Sequence, residues 1–295
     1  MREPAATTDR HPARAIQRRD GVRGRLGQTI ALHSLLVLGA LATLLPLLWM
    51  ISASFMPTGE STTLPPRLLP SAPTLEHYRT LFGRLNLGRS LVNSTLLAAT
   101  VTGISLLVNS LAGYAFARLA FRGREPLFRL LLAGMAVPGQ VAMLPLFLLL
   151  RELGLINTYW GVLVPGIASI FGIYLVRQYA ESIPGTILDA ARIDGAGELR
   201  IYRSIVLPLC RPILVTLAIF TFLGTWNDFL WPLIVLTDDS RQTLPVALAA
   251  LIGEHVQDTE LMMAGAVVTV LPVIALFISL QRYYIAGLTS GALKG

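Results

Sequence analysis

Six long stretches of this chain contain no Asp, Glu, Lys or Arg, and they constrain its fold more than any other feature. A helix needs about 20 apolar residues to cross the hydrocarbon core of a bilayer, and five of the stretches reach that length. The stretch at 212–227 also reaches it if the apolar residues that follow Asp228 are added. The sequence therefore predicts an all-α, polytopic membrane bundle with about six transmembrane helices. The uncharged stretches are 26–59, 90–117, 130–150, 153–176, 212–227 and 261–281.

The predicted spans leave one long connection, between the first two, and one irregular position inside the third. Prolines between residues 57 and 73 make the connection irregular, with a short interfacial helix at about 75–82. Pro138 and Gly139 fall inside the third span, where a proline removes a backbone donor and disturbs the helix. A packed kink is the preferred interpretation, and a break that lines a pathway is the alternative, because freed backbone groups need protein or water partners. The predicted spans are 29–55, 91–117, 128–150, 160–179, 212–236 and 261–286.

The formal net charge of +7 reflects the placement of basic residues on one side of the predicted bundle. The two tails and the second and fourth connections hold 18 of the 24 Arg and Lys residues. By the positive-inside rule this side faces the cytoplasm, so both termini are predicted to be cytoplasmic. The basic balance then describes membrane topology and does not indicate a nucleic-acid partner.

The chain divides into a tail and one membrane domain. Residues 1–25 are polar and rich in Arg, a composition that predicts a disordered cytoplasmic tail. The apolar stretch that follows is about twice as long as the core of a secretory signal, so a retained anchor is expected. Residues 26–295 form the predicted transmembrane domain.

The sequence offers no catalytic or metal-binding constellation, so it predicts a transport subunit without a cofactor or a metal, and not an enzyme. Cys210 is the only cysteine, and the four histidines are scattered without a ligand partner at suitable spacing. The only lysine is Lys294, which lies in no phosphate-binding loop of the G-x-x-x-x-G-K-[ST] type. Transport driven by ATP would therefore need a separate ATPase subunit.

The fourth connection, residues 181–212, carries the most informative pattern in the chain. Pro184 ends the preceding helix, and Thr186 is placed to cap a short helix over residues 187–193. Gly195 supplies a turn with φ above zero, and a second short helix begins near Gly197. From these residues alone, a rigid knob that points away from the membrane and a helix that lies on the membrane surface stay equally open.

The segment from Leu188 to Ala196, followed after ten residues by Leu207 and Pro208, resembles the EAA loop of bacterial ABC importer permeases. Its spacing fits the family pattern, except that Asp189 stands where the family usually has Glu. The resemblance implies a type I ABC importer permease fold and a coupling loop over 181–212 that docks on a cytoplasmic ABC ATPase dimer. The coupling residues that it implies are Asp189, Ala190, Ala191, Asp194, Gly195 and Ala196.

Three other stretches are similar to the second permease subunit of maltose-type carbohydrate transporters. They are Asn93 to Thr95 with Ala112 to Arg118, Trp226 to Pro232, and the ending from Gln281 to Gly295. The resemblance implies a bacterial cell membrane, a sugar or oligosaccharide substrate, a second permease subunit as heterodimer partner, and an extracytoplasmic solute-binding protein. Transport would proceed by alternating access, with membrane lipid around the bundle.

Polar residues inside the predicted spans suggest where a pathway could lie. Asp228 is the only acid within a predicted span, and such residues usually face a bundle interior or water. Trp226, Asn227 and Asp228 are therefore candidates for the translocation path, although a helix break that satisfies freed backbone is the preferred interpretation. Asn93 and Asn109 are expected to form hydrogen bonds between helices.

Two alternatives to a sugar importer stay open at this point. An ABC permease for a non-sugar solute would share every motif described above. An ion-driven secondary transporter would need paired ionisable residues near the middle of the membrane, and the sequence shows Asp228 alone, away from the centre of its span.

Overall fold

The computed structural model describes residues 13–254 and 258–292, and within these ranges the chain is helical with no strand. The helices of the first part of the chain are α1 (Ala13–Ala53), α2 (Glu76–Arg79), α3 (Leu87–Arg118), α4 (Arg124–Ala133), α5 (Gly139–Glu152), α6 (Tyr159–Gly166) and α7 (Ile170–Glu181). The remaining helices are α8 (Gly185–Ile193), α9 (Glu198–Ile201), α10 (Leu207–Leu209), α11 (Arg211–Trp226), α12 (Leu230–Val235), α13 (Leu244–Glu254) and α14 (Thr259–Ala292). The predicted all-α membrane bundle is confirmed.

Four helical stretches of the described chain are long and apolar enough to cross a membrane, and two bent pairs raise the number to as many as six. The four are 31–53 within α1, α3, α6 with α7, and 259–281 within α14. The bent pairs are α4 with α5, at 103°, and the arm Glu198–Leu209 with α11, at 77°. The predicted spans therefore fall on helices, but two of them are not straight.

Helix α3 lies at the centre of the bundle, where it packs against α7, α11, α6 and α13. Small residues permit the closest of these approaches. A Cβ atom added to Gly113 of α3 would lie 2.7 Å from the side chain of Val176 in α7, and one added to Gly172 would lie 2.7 Å from the amide of Asn109. These glycines let α3 and α7 pack backbone against backbone.

The third predicted span is broken and not merely kinked. After α4 a single 3₁₀ turn, Gly134–Ala136, leads to Val137 in an extended conformation, and α5 starts only at Gly139. The cause is Pro138, which cannot donate a hydrogen bond and disfavours the helical conformation of the residue before it. Val137 is 58% exposed in this chain, so the packed kink that was preferred from sequence is not what the described residues show.

The fifth predicted span, 212–236, is interrupted at Asp228, and the preferred interpretation of that residue as part of a helix break is confirmed. Helix α11 ends at Trp226, residues 227–229 form a break, and α12 covers the rest of the span. Asp228 accounts for the break, because its carboxylate accepts a hydrogen bond from the backbone N–H of Trp231 in the first turn of α12. Side chains of this type compete with the helix for backbone donors.

The structure differs from the sequence prediction for the N-terminal tail and agrees with it for a short helix in the first connection. The disordered tail was predicted to cover 1–25, but α1 already begins at Ala13, because a helix that is nucleated by its membrane span extends at little cost. Residues 1–12 lie outside the described part of the chain. The short helix predicted at about 75–82 is confirmed as α2, which continues into a π-helical turn at Thr80–Arg84, and its interfacial position stays a prediction.

Candidate functional site

The 181–212 segment begins with two short helices joined by a tight turn. Helix α8 ends in a glycine turn in which the N–H of Ala196 donates to the carbonyl of Ala191 at 2.9 Å. Gly195 has φ of +81° there, and a side chain at this position would be strained although the surrounding space is open. The expected positive φ at Gly195 and the start of a second helix after Gly197 are confirmed.

The start of α8 differs from the prediction. The helix begins at Gly185, one residue before Thr186, and Pro184 occupies the capping position without a side-chain hydrogen bond. Thr186 therefore lies within the first turn and does not cap the helix. Proline before the first turn is favourable here because its fixed φ suits an extended approach to the helix.

One face of α8 is buried against the bundle and the opposite face is exposed. Leu188 is 1% exposed and lies in one apolar cluster with Ile201 and Tyr114, which belong to α9 and α3. This packing holds α8 against the end of the bundle. Of the six predicted coupling residues, Asp189, Ala190, Asp194 and Gly195 are exposed, whereas Ala191 and Ala196 are half-buried against the same cluster.

A charged network fixes the two short helices to each other and to α3. The guanidinium of Arg192 donates to a carboxylate oxygen of Asp189 at 2.8 Å and to one of Glu198 at 2.8 Å. The hydroxyl of Tyr114 in α3 donates to the other carboxylate oxygen of Glu198. The hydrogen bonds from Arg192 and then from Tyr114 hold the pKa of Glu198 below its usual range, so this carboxylate stays charged at neutral pH.

Arg118, the last residue of α3, connects the end of α7 to the start of the knob. Its guanidinium donates to the carbonyl of Ala180 at 3.0 Å and to that of Glu181 at 2.9 Å, and also to the carbonyl of Ile183. The carbonyls of Ala180 and Glu181 belong to the last turn of α7, where intrahelical donors run out, and that of Ile183 lies in the connection that follows. Arg118 therefore sets the direction in which the chain leaves α7 and enters α8.

Replacing Arg118 with methionine is expected to loosen the 181–212 segment. The change roughly keeps the length of the side chain but removes the hydrogen bonds from Arg118 to three carbonyls, which corresponds to a loss of about 1–3 kcal/mol in the free energy of unfolding. Protease cleavage within 181–212 should then accelerate in the purified protein. The control is Arg122→Met, because Arg122 is exposed in the next connection, and equal cleavage rates for the two variants would contradict the role assigned to Arg118.

A cavity of 530 Å³ lies between α5, α6 and the break that separates α11 from α12. Its polar side chains come from three elements: Gln140 in α5, Thr225 near the end of α11, and Asp228 in the break that follows. Asp228 is half-buried, and one of its carboxylate oxygens caps α12 at 3.4 Å from the N–H of Trp231. A carboxylate has about four acceptor positions, so this bond leaves capacity for a ligand hydroxyl.

The three residues predicted for the translocation path separate in the structure. Asp228 lines the cavity, whereas Asn227 is exposed and is not part of its wall. Trp226 is 1% exposed and lies in the apolar core, with its ring stacked on Phe222 at 5.7 Å. Trp226 is therefore a packing residue, since its direction on α11 turns it toward α14 and away from the cavity.

The sequence did not single out Gln140 or Thr225 as pathway residues. The available signal for Gln140 was its position directly after the Pro138-Gly139 break, because irregular backbone in a membrane protein tends to line a cavity. Thr225 carries no such signal. Only the approach of α5 and α11 brings the two side chains to one wall.

The two asparagines in α3 form the hydrogen bonds that were expected of them. Asn93 donates to the carbonyls of Ser240 and Gln242 at 3.1 and 3.0 Å and accepts from the hydroxyl of Tyr159. Asn109 accepts at 3.0 Å from the N–H of Ser169, which lies between α6 and α7. Both hold the ends of neighbouring segments against α3.

Comparison with known proteins places these features in context. A family described as "Binding-protein-dependent transport system inner membrane component" matches residues 109–290. The arabinooligosaccharides transport system permease protein AraQ of Halalkalibacterium halodurans is 40% identical over 259 residues, which are 87% of this chain and 93% of that protein. The trehalose transport system permease protein SugB of Mycobacterium tuberculosis is 36% identical over 85% of this chain and 93% of its own length.

A solved structure supports the same fold. It is the crystal structure of a bacterial ABC transporter involved in the import of the acidic polysaccharide alginate, with a TM-score of 0.78 and 27% sequence identity to one of its chains. The alignment covers 89% of this chain and 98% of that one. The all-α arrangement of a type I importer permease is thereby confirmed for nearly the whole chain.

Proposed function

This chain belongs to the family of inner membrane components of binding-protein-dependent transport systems, and we propose that it is one of two permease subunits in an ATP-driven bacterial sugar importer. The observation that carries the proposal is the knob formed by α8 and α9, which combines a buried anchor, Leu188, with an exposed face around Ala190 that includes Ile187 and Ile193. Apolar side chains that are exposed together mark a contact with a partner, and the turn at Gly195 transmits the partner's movement.

The partners follow from what this chain contains and from its relatives. It has no phosphate-binding loop, so ATP is hydrolysed by a separate ATPase dimer that docks on Asp189, Ala190, Asp194 and Gly195. Ala191 and Ala196 are half-buried on the side of the knob that packs against the bundle. A second permease subunit forms a heterodimer with this chain and closes the pathway, and a solute-binding protein delivers the substrate on the other side. The excess of Arg on the knob side supports cytoplasmic termini.

The mechanism is alternating access. ATP binding closes the ATPase dimer and moves α8, and the network of Arg192, Glu198 and Tyr114 passes this movement to α3. Arg118 passes it to the end of α7. Because α7 and α11 both pack on α3, the cavity beside α5 and α11 changes its shape with them. No covalent step occurs on this chain.

The substrate is a sugar or oligosaccharide. Permeases for arabinooligosaccharides and trehalose are similar to this chain over most of its length, and the transporter with the similar structure imports alginate. The cavity suits such a ligand, because the carboxylate of Asp228 accepts hydrogen bonds from hydroxyl groups and the amide of Gln140 can donate and accept them.

The change Asp228→Asn tests whether this carboxylate meets the sugar or only caps α12. Asparagine caps helices as well as aspartate does, so the fold should be kept while the charged acceptor is lost. A hydrogen bond to a charged group contributes about 1.5–3 kcal/mol, so uptake of labelled arabinooligosaccharide in reconstituted vesicles should fall about tenfold or more. ATPase activity of the assembled complex without sugar should not change.

The matched control is Asp239→Asn, which removes a carboxylate from the exposed turn at Asp239–Arg241 outside the cavity. It should transport like the wild type. If Asp228→Asn also transports like the wild type, Asp228 serves only as a helix cap and the cavity is not the sugar path at this point.

A further inference from the structure

The connection between α1 and α2 exposes a short apolar segment, residues 64–69. Its three leucines are strongly exposed, Leu64 at 92%, Leu68 at 68% and Leu69 at 76%. Proline occupies positions 65 and 66, so the segment has two fewer backbone donors that would need water. Apolar side chains that are exposed together on a protein surface mark a contact with a partner or a membrane.

Hydrogen bonds to α1 fix the depth of this segment. The hydroxyl of Ser52 donates to the carbonyl of Leu68 at 2.6 Å, and the indole N–H of Trp49 donates to the carbonyl of Arg67 at 3.3 Å. Since α1 ends at Ala53 and rises about 1.5 Å per residue, Trp49 lies about 6 Å back from the helix end. The segment therefore runs back along the last turn of α1, beside a tryptophan, the residue type that concentrates where a membrane meets water.

The one charge in the segment is already paired within the chain. Arg67 contacts the carboxylate of Glu60 at 3.0 Å, and Glu60 is 7% exposed. The N–H of Ser71 donates to the same carboxylate at 3.0 Å. Glu60 therefore holds the second half of the segment and the residues just after it. Arg67 is neutralised by this pairing although its side chain is 58% exposed, and the three leucines form the apolar part of the outward surface.

We propose that residues 64–69 insert their three leucines into the adjacent leaflet of the bilayer and anchor the long connection to the membrane surface. Lipid is the occupant we infer because the patch continues the exposed apolar surface of α1, a candidate membrane span, where Leu45, Leu48 and Ile51 are exposed beside the two residues that bind the segment. No residue in the most apolar 18-residue stretch of α1 is buried against the rest of the described chain. The segment is thus an interfacial anchor that fixes the tilt of α1.

Site-specific fluorescence tests this proposal in the assembled transporter. The natural Cys210 is buried, so a cysteine introduced by Leu68→Cys can be labelled selectively on this chain with an environment-sensitive probe. The complex is reconstituted into bilayers of phosphatidylethanolamine and phosphatidylglycerol that contain a doxyl-labelled lipid. The probe at position 68 should show blue-shifted emission and strong quenching by the doxyl lipid, close to that of a probe introduced by Leu48→Cys, an exposed position of α1 beside the segment.

The control within the same connection is Ala72→Cys, which should be quenched by aqueous iodide and not by the doxyl lipid, because Ala72 is exposed beyond the segment. Two results at position 68 would overturn the proposal. Quenching by iodide would place the leucines in water. Blue-shifted emission that neither quencher affects would show that the partner permease or the binding protein covers them.

Discussion

Replacement of Ala190 by arginine is expected to abolish ATP-driven uptake while the chain stays folded in the membrane. Ala190 is exposed on α8, whose opposite face is anchored by Leu188 at 1% exposure, so the long side chain meets no residue of this chain's core. It occupies instead the space that the ATPase needs for close contact. Residues at the centre of an interface contribute about 2–4 kcal/mol each, so binding of the ATPase should weaken by a factor of about 30 or more.

Copurification of the ATPase subunit with the tagged permease complex measures this effect directly. The control is Ala72→Arg, which makes the same alanine-to-arginine change at an exposed position in the connection before α2. It should retain the ATPase in full. If Ala190→Arg retains the ATPase and supports normal uptake, α8 is not the docking surface, and the role of the 181–212 segment as a coupling loop is wrong.

Replacement of Gly113 by valine is expected to disrupt the bundle itself. A Cβ atom at this position would lie 2.7 Å from the side chain of Val176 and 3.0 Å from the backbone nitrogen of Arg177, so α3 and α7 must move apart. Overpacking of this kind costs about 1–3 kcal/mol and more where backbone resists, and here the contact includes backbone. The displacement also pulls Arg118 away from the end of α7, so uptake should be lost together with stability.

The matched control is Gly103→Val in the same helix, because a Cβ atom there would meet nothing within 4 Å. Thermal unfolding in mild detergent, followed by a dye that reacts with Cys210 once it becomes exposed, compares the two variants with the wild type. The midpoint for Gly113→Val should fall clearly, whereas that for Gly103→Val should not. Equal midpoints would mean that the close approach of α3 and α7 does not support the fold.

The sequence predicted those parts of the fold that depend on local composition. Uncharged apolar stretches located the spans because a bilayer tolerates little else, and Gly195 could be assigned a positive φ because it follows a short helix and precedes another. The sequence could not predict the network around Arg192, since Tyr114 and Glu198 are 84 residues apart in the chain. Arg118 and the carbonyl of Ala180 are likewise 62 residues apart.

The irregular positions show where sequence patterns mislead. Pro138 indicated a disturbance but not its size, because the bend of 103° depends on how α4 and α5 pack against other helices. Trp226 was a candidate for the translocation path together with Asp228, yet a helix turns by about 100° per residue, so neighbours in sequence face different surroundings. Trp226 lies in the apolar core, whereas Asp228 lines the cavity together with Gln140 from α5.

The measurement that tests the account most directly is sugar uptake by the purified complex in sealed vesicles, with ATP inside or outside and with or without an imposed ion gradient. The complex contains this chain, its partner permease, the ATPase dimer and the solute-binding protein. We predict uptake of a labelled oligosaccharide only when ATP is present on the side of the 181–212 segment and the loaded binding protein is on the other side. Uptake that follows an ion gradient without ATP or the ATPase subunits would contradict the account and identify an ion-driven carrier.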